Sequence, residues 1–291
     1  MGLCSRIARF TARQSLALVT RGSAAVQEQW DVDLVGDGMP AAILQLEGLY
    51  ATLPDDETVG IELLRAYLSY AYGWIEERAE DAEARGDDEA RTALLLRARL
   101  LYLRARNIGL FHLRQRDPGL DEAIAAGPAA LEAHLGARFG SAADAPLLLW
   151  TGYAWGSAIN ASDGDPELVV DVATARLLVE RSVELDESYF ERGGTTFLAA
   201  LASALPESSG GDPARGQALF ERALAATGRS FFQVHVTYAR TYAVTTGDRD
   251  LYVRLLREVI DGGDPRPEVR LANRLARRRA IRMLRRVDEI F

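Results

Sequence analysis

Apolar residues recur at helical spacing along almost the whole chain, and strand-like alternation is nearly absent. Gly and Pro lie between these blocks, as expected for helices joined by short loops. The breaks fall near residues 36–40, 54–57, 86–88, 117–119, 140–146, 163–166, 206–213, 228, 247 and 262–267. The pattern predicts an all-α protein, a compact array of about a dozen helices.

Three helical blocks in the second half resemble one another: Leu178–Val183, Leu219–Leu224 and Leu255–Ile260. Their spacing is close to the repeat of about 34 residues in tetratricopeptide proteins. The match is degenerate, because Glu187 stands where that repeat usually has Pro. Such helix-turn-helix repeats stack and leave a concave face that suits binding. We therefore expect an N-terminal segment with a first helix over residues 1–35, and one all-helical, repeat-containing domain over 36–291.

Residues 145–162 contain no charged side chain and approach the length of a membrane span. Pro, Gly and Asn within the stretch favour a buried central helix instead. The polar tips of Trp150, Tyr153 and Trp155 need partners there. These aromatic residues either line a ligand cavity or pack in the core, and core packing is the more common outcome.

A second aromatic set lies on the helix predicted around residues 60–79. Tyr67, Tyr70 and Trp74 form a stripe beside the main apolar one, so this helix faces two neighbours, or a neighbour and a cavity. The next long helix, about 88–113, has Asn107 among apolar residues, and a buried Asn requires hydrogen-bond partners. Asn107 either orients a ligand or ties down a loop. The candidates for lining a ligand channel are Tyr67, Tyr70, Trp74, Asn107, Trp150, Tyr153 and Trp155.

The last predicted helix, about 267–291, is strongly basic. Four of its arginines share one face: Arg274, Arg278, Arg282 and Arg285. Charge runs are usually solvated or paired with acidic neighbouring helices. The sharper alternative makes these four residues a docking surface for an acidic partner, or an anion site.

Composition narrows the possible functions. The net charge of −8 disfavours nucleic-acid binding, which needs positive charge facing the phosphates. All 34 basic residues are arginine, so chemistry that requires a lysine amine is excluded. A single Cys excludes an internal disulfide. His112, His134 and His235 stand far apart without metal-ligand spacing, and no catalytic motif is found. We therefore expect no metal, no cofactor and no enzymatic activity.

Cys4 allows two interpretations. It is followed by an amphipathic stretch, as at the lipid-modified Cys that begins a mature bacterial lipoprotein. The alternative is a terminal thiol with no role. The given sequence has no apolar signal before Cys4.

Six segments in this order resemble the TatT component family of tetratricopeptide-repeat-associated TRAP transporters. They are Leu63–Trp74, Ala98–Leu110, Leu148–Ile159, Glu180–Tyr189, Asp212–Leu224 and Leu271–Phe291. No single segment is diagnostic, but together they cover most of residues 40–291. The resemblance implies a compact all-helical fold with degenerate repeats and no enzymatic activity.

The resemblance also implies a periplasmic lipoprotein, anchored to the membrane only through a lipid on Cys4. It implies a homotrimer with a ligand-accessible, largely apolar channel. The implied partner is the periplasmic solute-binding protein of a TRAP transporter, which hands solute to the membrane permease. The alternative is a cytoplasmic helical-repeat scaffold for protein–protein interactions, which is the expected outcome if Met1 is the true start.

Overall fold

The computed structural model describes residues 11, 12, 14, 16, 21–162, 170–207 and 210–291, and every regular element among them is a helix. The all-α prediction is confirmed. The chain divides into two compact units. The first contains Asp33–Asp186 and the described residues before Ala24; the second contains Ala24–Val32 and Glu187–Phe291. The expected division near residue 35, with one domain over 36–291, stays a prediction, because compact units need not fold separately.

The first unit is built around the uncharged stretch of the sequence. Its helices are α1 (Val32–Thr52), α2 (Glu57–Tyr70), α3 (Glu76–Ala84), α4 (Asp88–Arg116), α5 (Leu120–Ala125), α6 (Pro128–Arg138), α7 (Ala145–Asn160) and α8 (Val172–Leu185). The uncharged helix α7 packs against both α4 and α8, and most of its side chains are buried. Gly152 permits the close approach of α8, since a Cβ there would lie 2.8 Å from the backbone oxygen of Ala175.

The predicted break at residues 36–40 is wrong, because α1 runs through it with Pro40 inside the helix. Pro40 lacks an amide hydrogen, so the helix loses one hydrogen bond at this position. Gly36 is needed for packing and not for a turn: a Cβ there would lie 2.2 Å from Nε1 of Trp74. The glycine therefore allows the tryptophan of the next helical segment to lie directly on α1.

The helix expected around residues 60–79 is interrupted. Ala71–Ile75 forms a π-helical segment between α2 and α3, and Ala239–Ala243 forms another in the second unit. A π segment inserts one extra residue per turn and is often found at functional sites. In the first unit it contains Trp74, which is buried.

The second unit contains a helical hairpin, a three-helix group and two short helices. Its helices are α9 (Tyr189–Ala204), α10 (Pro213–Ala226), α11 (Phe232–Tyr238), α12 (Val244–Thr246), α13 (Arg249–Asp261), α14 (Arg270–Arg285) and α15 (Val287–Ile290). α9 packs on α10, and α11 packs on α13 and α14. The core includes Phe220 and Tyr238, whose rings stack at 4.5 Å between centroids. The three similar sequence blocks fall within α8, α10 and α13, and their origin as structural repeats stays a prediction.

Asn273 ties the start of α11 to α14. Its Oδ1 accepts a 2.8 Å hydrogen bond from the amide of Phe232, and its Nδ2 donates one of 2.8 Å to the carbonyl of Ser230. The side chain is buried, and a buried amide with both ends satisfied fixes one arrangement of the backbone. This end of the second unit is therefore well defined.

Candidate functional site

Trp150 and Tyr153 lie together on α7, with ring centroids 6.0 Å apart. The Trp150 side chain is buried, and the guanidinium carbon of Arg65 lies 5.4 Å from its ring centroid. A cation over an indole face is attracted by the ring quadrupole. One face of the Trp150 ring is therefore covered by the guanidinium group of Arg65.

Trp155 has the polar partner that its buried indole requires. Its Nε1 donates a 3.1 Å hydrogen bond to Oδ2 of Asp171, and Arg106 lies 5.1 Å from the ring centroid. Burial lowers the pKa of Arg106, with Asp171 opposing the shift. The group combines an aromatic ring, a cation and a carboxylate.

The expectation that Asn107 is buried is wrong. The structure places Asn107 on the exposed side of α4, where its Oδ1 accepts hydrogen bonds of 3.1 and 3.0 Å from Arg106. The surrounding leucines misled the prediction because α4 exposes apolar side chains as well: Leu96 and Leu100 are 50% and 57% exposed. Asn107 positions Arg106 at the rim of the Trp155 group.

Tyr70 and Trp74 stack across the junction of α2 and the π segment, with centroids 6.3 Å apart and planes at 26°. Arg97 lies 5.8 Å from the Tyr70 centroid, and its Nη2 is 3.5 Å from the tyrosine hydroxyl. Both aromatic side chains are buried. Like Trp150 and Trp155, Tyr70 has an arginine over its face.

Tyr67 belongs to a polar network that joins α1, α2 and α4. Its hydroxyl donates a 2.7 Å hydrogen bond to Oε1 of Glu47, which also accepts bonds of 2.9 and 2.8 Å from Arg104. Burial, together with Glu47, raises the pKa of Tyr67 to about 12. Burial alone would raise the pKa of Glu47, but the hydrogen bonds from Arg104 and Tyr67 bring it below its ordinary value.

The structure thus pairs some of the predicted channel residues and gives others polar partners. Trp150 contacts Tyr153, and Tyr70 contacts Trp74, whereas Trp155 and Tyr67 bind the carboxylates of Asp171 and Glu47. Sequence reasoning identified these aromatic rings but missed Arg65, Arg97 and Arg106, which are spread over two helices and share no motif. What the groups have in common is a ring beside a guanidinium.

The first arginine of the predicted arginine face, Arg274, lies close to an acidic residue of the loop before α14. Arg274 lies 3.7 Å from Oδ2 of Asp264, and that carboxylate also accepts a 2.6 Å hydrogen bond from Arg270. Arg278 and Arg285 are exposed, and Arg282 is partly buried. Arg277, on the same helix, was not predicted to have a separate role. Its guanidinium donates to the carbonyls of Val259 and Gly263 at the end of α13.

His235 is fully buried in the second unit, below the surface of α13. Its Nε2 lies 3.3 Å from Oε2 of Glu258, and the same carboxylate accepts bonds of 3.0 and 2.6 Å from Arg229. Burial and the charge of Arg229 lower the pKa of His235 to about 4, against the opposing effect of Glu258. On the outer side, Glu258 also lines an open groove of about 520 Å³. Its lining residues are Arg249, Asp250, Val253, Arg254, Arg257, Glu258 and Asp261.

The first turn of α9 is left-handed. Phe190, Glu191 and Arg192 have φ values of 49°, 53° and 62°. For L-residues this conformation costs roughly 1–2 kcal/mol each, and it persists only where surrounding contacts impose it. The glycines at 193 and 194 are the only sequence signal of a turn, and they do not reveal that the three residues before them are left-handed.

The described part of the chain contains no group of three or more His, Cys, Asp or Glu residues arranged to hold a metal ion. Its helices also include none with the length and hydropathy needed to cross a bilayer. Cys4, the lipid attachment candidate, lies outside the described residues.

The amino-acid sequence is similar to a known protein and matches a protein family. An uncharacterized protein of Treponema pallidum (strain Nichols) is 26% identical over 222 residues, which cover 76% of this chain and 68% of that protein. The family described as TRAP transporter T-component matches residues 28–291, nearly the whole chain. Its role is that of a transporter accessory component. The chain therefore belongs to the T-component family of TRAP transporters.

Proposed function

We propose that this protein is a non-catalytic accessory component that binds the periplasmic solute-binding protein of a TRAP-type uptake system. The observation that carries the proposal is the family match over residues 28–291. An accessory role fits a molecule whose described surface consists of helices and the loops between them. Helical arrays offer broad, rigid surfaces, which suit protein partners.

Titration calorimetry with purified components tests this function. The chain should bind the solute-binding protein of the TRAP system encoded in the same genome, and it should not bind a receptor from an unrelated uptake system. Absence of binding to the cognate receptor contradicts the proposal. Equal binding to both receptors would favour the alternative of a general helical scaffold.

We further propose that the protein is periplasmic and is anchored through a lipid on Cys4. Palmitate labelling of the natively expressed protein tests the anchor, with Cys4→Ala as the control. Label in the wild type that is lost in the variant supports the proposal. A soluble, unlabelled wild type contradicts it and favours the cytoplasmic alternative.

The proposed assembly is a homotrimer with a channel that accepts a small or apolar solute. The candidate residues are the ring groups described above, in which aromatic faces are accompanied by guanidinium groups. Native mass spectrometry reports the oligomer number and any retained small molecule together. A monomer without a retained molecule contradicts both parts of this proposal.

A further inference from the structure

The left-handed turn at Phe190–Arg192 is held in place by contacts on both sides. Glu191 forms a bidentate ion pair with Arg266, with hydrogen bonds of 2.7 and 2.8 Å. Arg192 pairs with Glu187 at 2.8 Å, and its carbonyl accepts a 3.0 Å bond from the hydroxyl of Thr196. A backbone conformation that is unfavourable in itself is thus fixed by several independent interactions.

The turn holds the ring of Phe190 at the surface. The side chain is 37% exposed, and its inner edge meets the ring of Phe231 at a centroid distance of 6.2 Å and an angle of 76°. Gly193 leaves room for the ring, since a Cβ there would lie 2.7 Å from Cδ1 of Phe190. The phenyl group is therefore both accessible and fixed in position before any partner arrives.

A second exposed aromatic residue belongs to the same compact unit. Trp30 is 64% exposed, in a segment whose Glu28 carbonyl accepts a 2.8 Å hydrogen bond from Arg270. Arg270 is the first residue of α14 and follows Arg266, which binds Glu191, by four positions. The segment before α1 and the left-handed turn are thus each bound by one of these two arginines. We call Phe190, Trp30 and residues 266–270 the Phe190 surface.

The charges around the Phe190 surface are paired. Five arginines and four carboxylates take part in these ion pairs: Arg192, Arg222, Arg266, Arg270, Arg274, Glu187, Glu191, Asp264 and Glu268. An anionic membrane or a nucleic acid requires a large excess of unpaired positive charge, whereas each of these arginines has a carboxylate partner. Accessible aromatic rings among neutralised charges are instead the composition of a protein–protein hot spot with a polar rim.

We propose that the Phe190 surface is where this chain docks the solute-binding protein, with Phe190 and Trp30 as the aromatic anchors. The inference rests on the proposed function and adds the place of contact. Fixing Phe190 in the free protein avoids an ordering cost on binding, which gives the strained turn a role. The partner should offer an apolar pocket for each ring, surrounded by groups that can hydrogen-bond to the paired charges.

Two substitutions test the docking surface. Phe190→Gly removes the ring and replaces a left-handed L-residue by the residue that best tolerates this conformation, so the turn should be retained. Trp30→Ala removes the other ring outside the turn. Each variant should raise the Kd for the cognate solute-binding protein about tenfold or more, as expected for hot-spot anchors. Circular dichroism should show unchanged helix content.

The matched control is Phe291→Ala. Phe291 is 40% exposed and meets the ring of Tyr252 edge-on at 5.3 Å, so it resembles Phe190 in exposure and contact. Its variant should bind with a Kd within about twofold of the wild type, because isolated surface substitutions have small effects. A tenfold loss in this control would contradict a docking site confined to the Phe190 surface.

The outcomes separate this inference from the proposed function. If the wild-type chain does not bind the cognate receptor, both are overturned. If the wild type binds and both ring variants bind equally well, only the Phe190 surface is wrong. If the variants keep receptor binding but change the oligomer number in native mass spectrometry, the surface joins copies of this chain and the inference is overturned.

Discussion

At the scale of single residues, His235 makes the stability of the second unit depend on pH. Its pKa is about 4 in the folded protein, against an ordinary value of 6.5. Between these values the unfolded chain binds a proton at this residue and the folded chain does not, so unfolding becomes easier as the pH falls. The stability is greatest above pH 6.5 and decreases as the pH falls from 6.5 toward 4.

Urea unfolding at pH 7 and at pH 4.5 measures this effect. The variant His235→Leu lacks the titrating group and should lose less stability on acidification than the wild type does. Carboxylates elsewhere also titrate in this range, which is why the difference between the two proteins is the informative quantity. Equal losses in wild type and variant would show that His235 is not responsible.

Two tryptophans of opposite exposure give a second prediction. Trp150 is 5% exposed and lies beside Arg65, whereas Trp30 is 64% exposed. Trp150→Ala should lower the free energy of unfolding by about 3–5 kcal/mol, because it opens a cavity in the core. Trp30→Ala should change it by less than about 0.5 kcal/mol. If Trp150→Ala leaves stability unchanged but alters solute retention, the ring lines a cavity and is not part of the core.

At the scale of helices, substitutions at two glycines separate the effect of helix–helix packing from the effect of intrinsic helix propensity. Gly152→Ala should destabilise by about 1–3 kcal/mol, because the new Cβ would lie 2.7 Å from Val179 and 2.8 Å from a backbone oxygen of α8. Gly48→Ala on α1 should stabilise by about 0.5–1 kcal/mol, since its Cβ enters open space and alanine favours the helix. Thermal unfolding measures both, and stabilisation by Gly152→Ala as well as by Gly48→Ala would contradict the assigned α7–α8 contact.

Helix identity could be predicted from periodicity, whereas departures from ideal helices could not. The uncharged stretch forms the buried helix α7. A helix that is surrounded by protein needs apolar residues on every side, so its burial could be predicted from the lack of charged residues. Pro40 and Gly36 led to the wrong prediction of a break. The helix continues through both residues, and Gly36 packs against Trp74, a contact that the local sequence does not reveal. The left-handed turn was missed for a related reason: the ion pair of Glu191 with Arg266, 75 positions away, helps to impose it.

At the scale of the whole molecule, net charge concealed how the arginines are used. The acidic total of −8 includes an arginine-rich last helix, whose side chains could face solvent, the protein itself or a partner. Arg270 and Arg277 are used internally. Arg270 binds Asp264 and the carbonyl of Glu28, and Arg277 binds the carbonyls of Val259 and Gly263. The family, in contrast, could be recognised from the sequence because its six segments are distributed along most of the chain.

The division into two compact units leads to a prediction for the whole chain. Each unit has an apolar core of its own, with α7 in the first and Phe220, Tyr238 and Tyr252 in the second. Regions with separate cores can open separately, and amide hydrogen exchange detects this. Gly152→Ala should therefore speed exchange in α4, α7 and α8 and leave α13 and α14 as protected as in the wild type. Tyr252→Ala should produce the reverse pattern. Faster exchange throughout the chain in both variants would show instead that residues 36–291 fold as one cooperative domain.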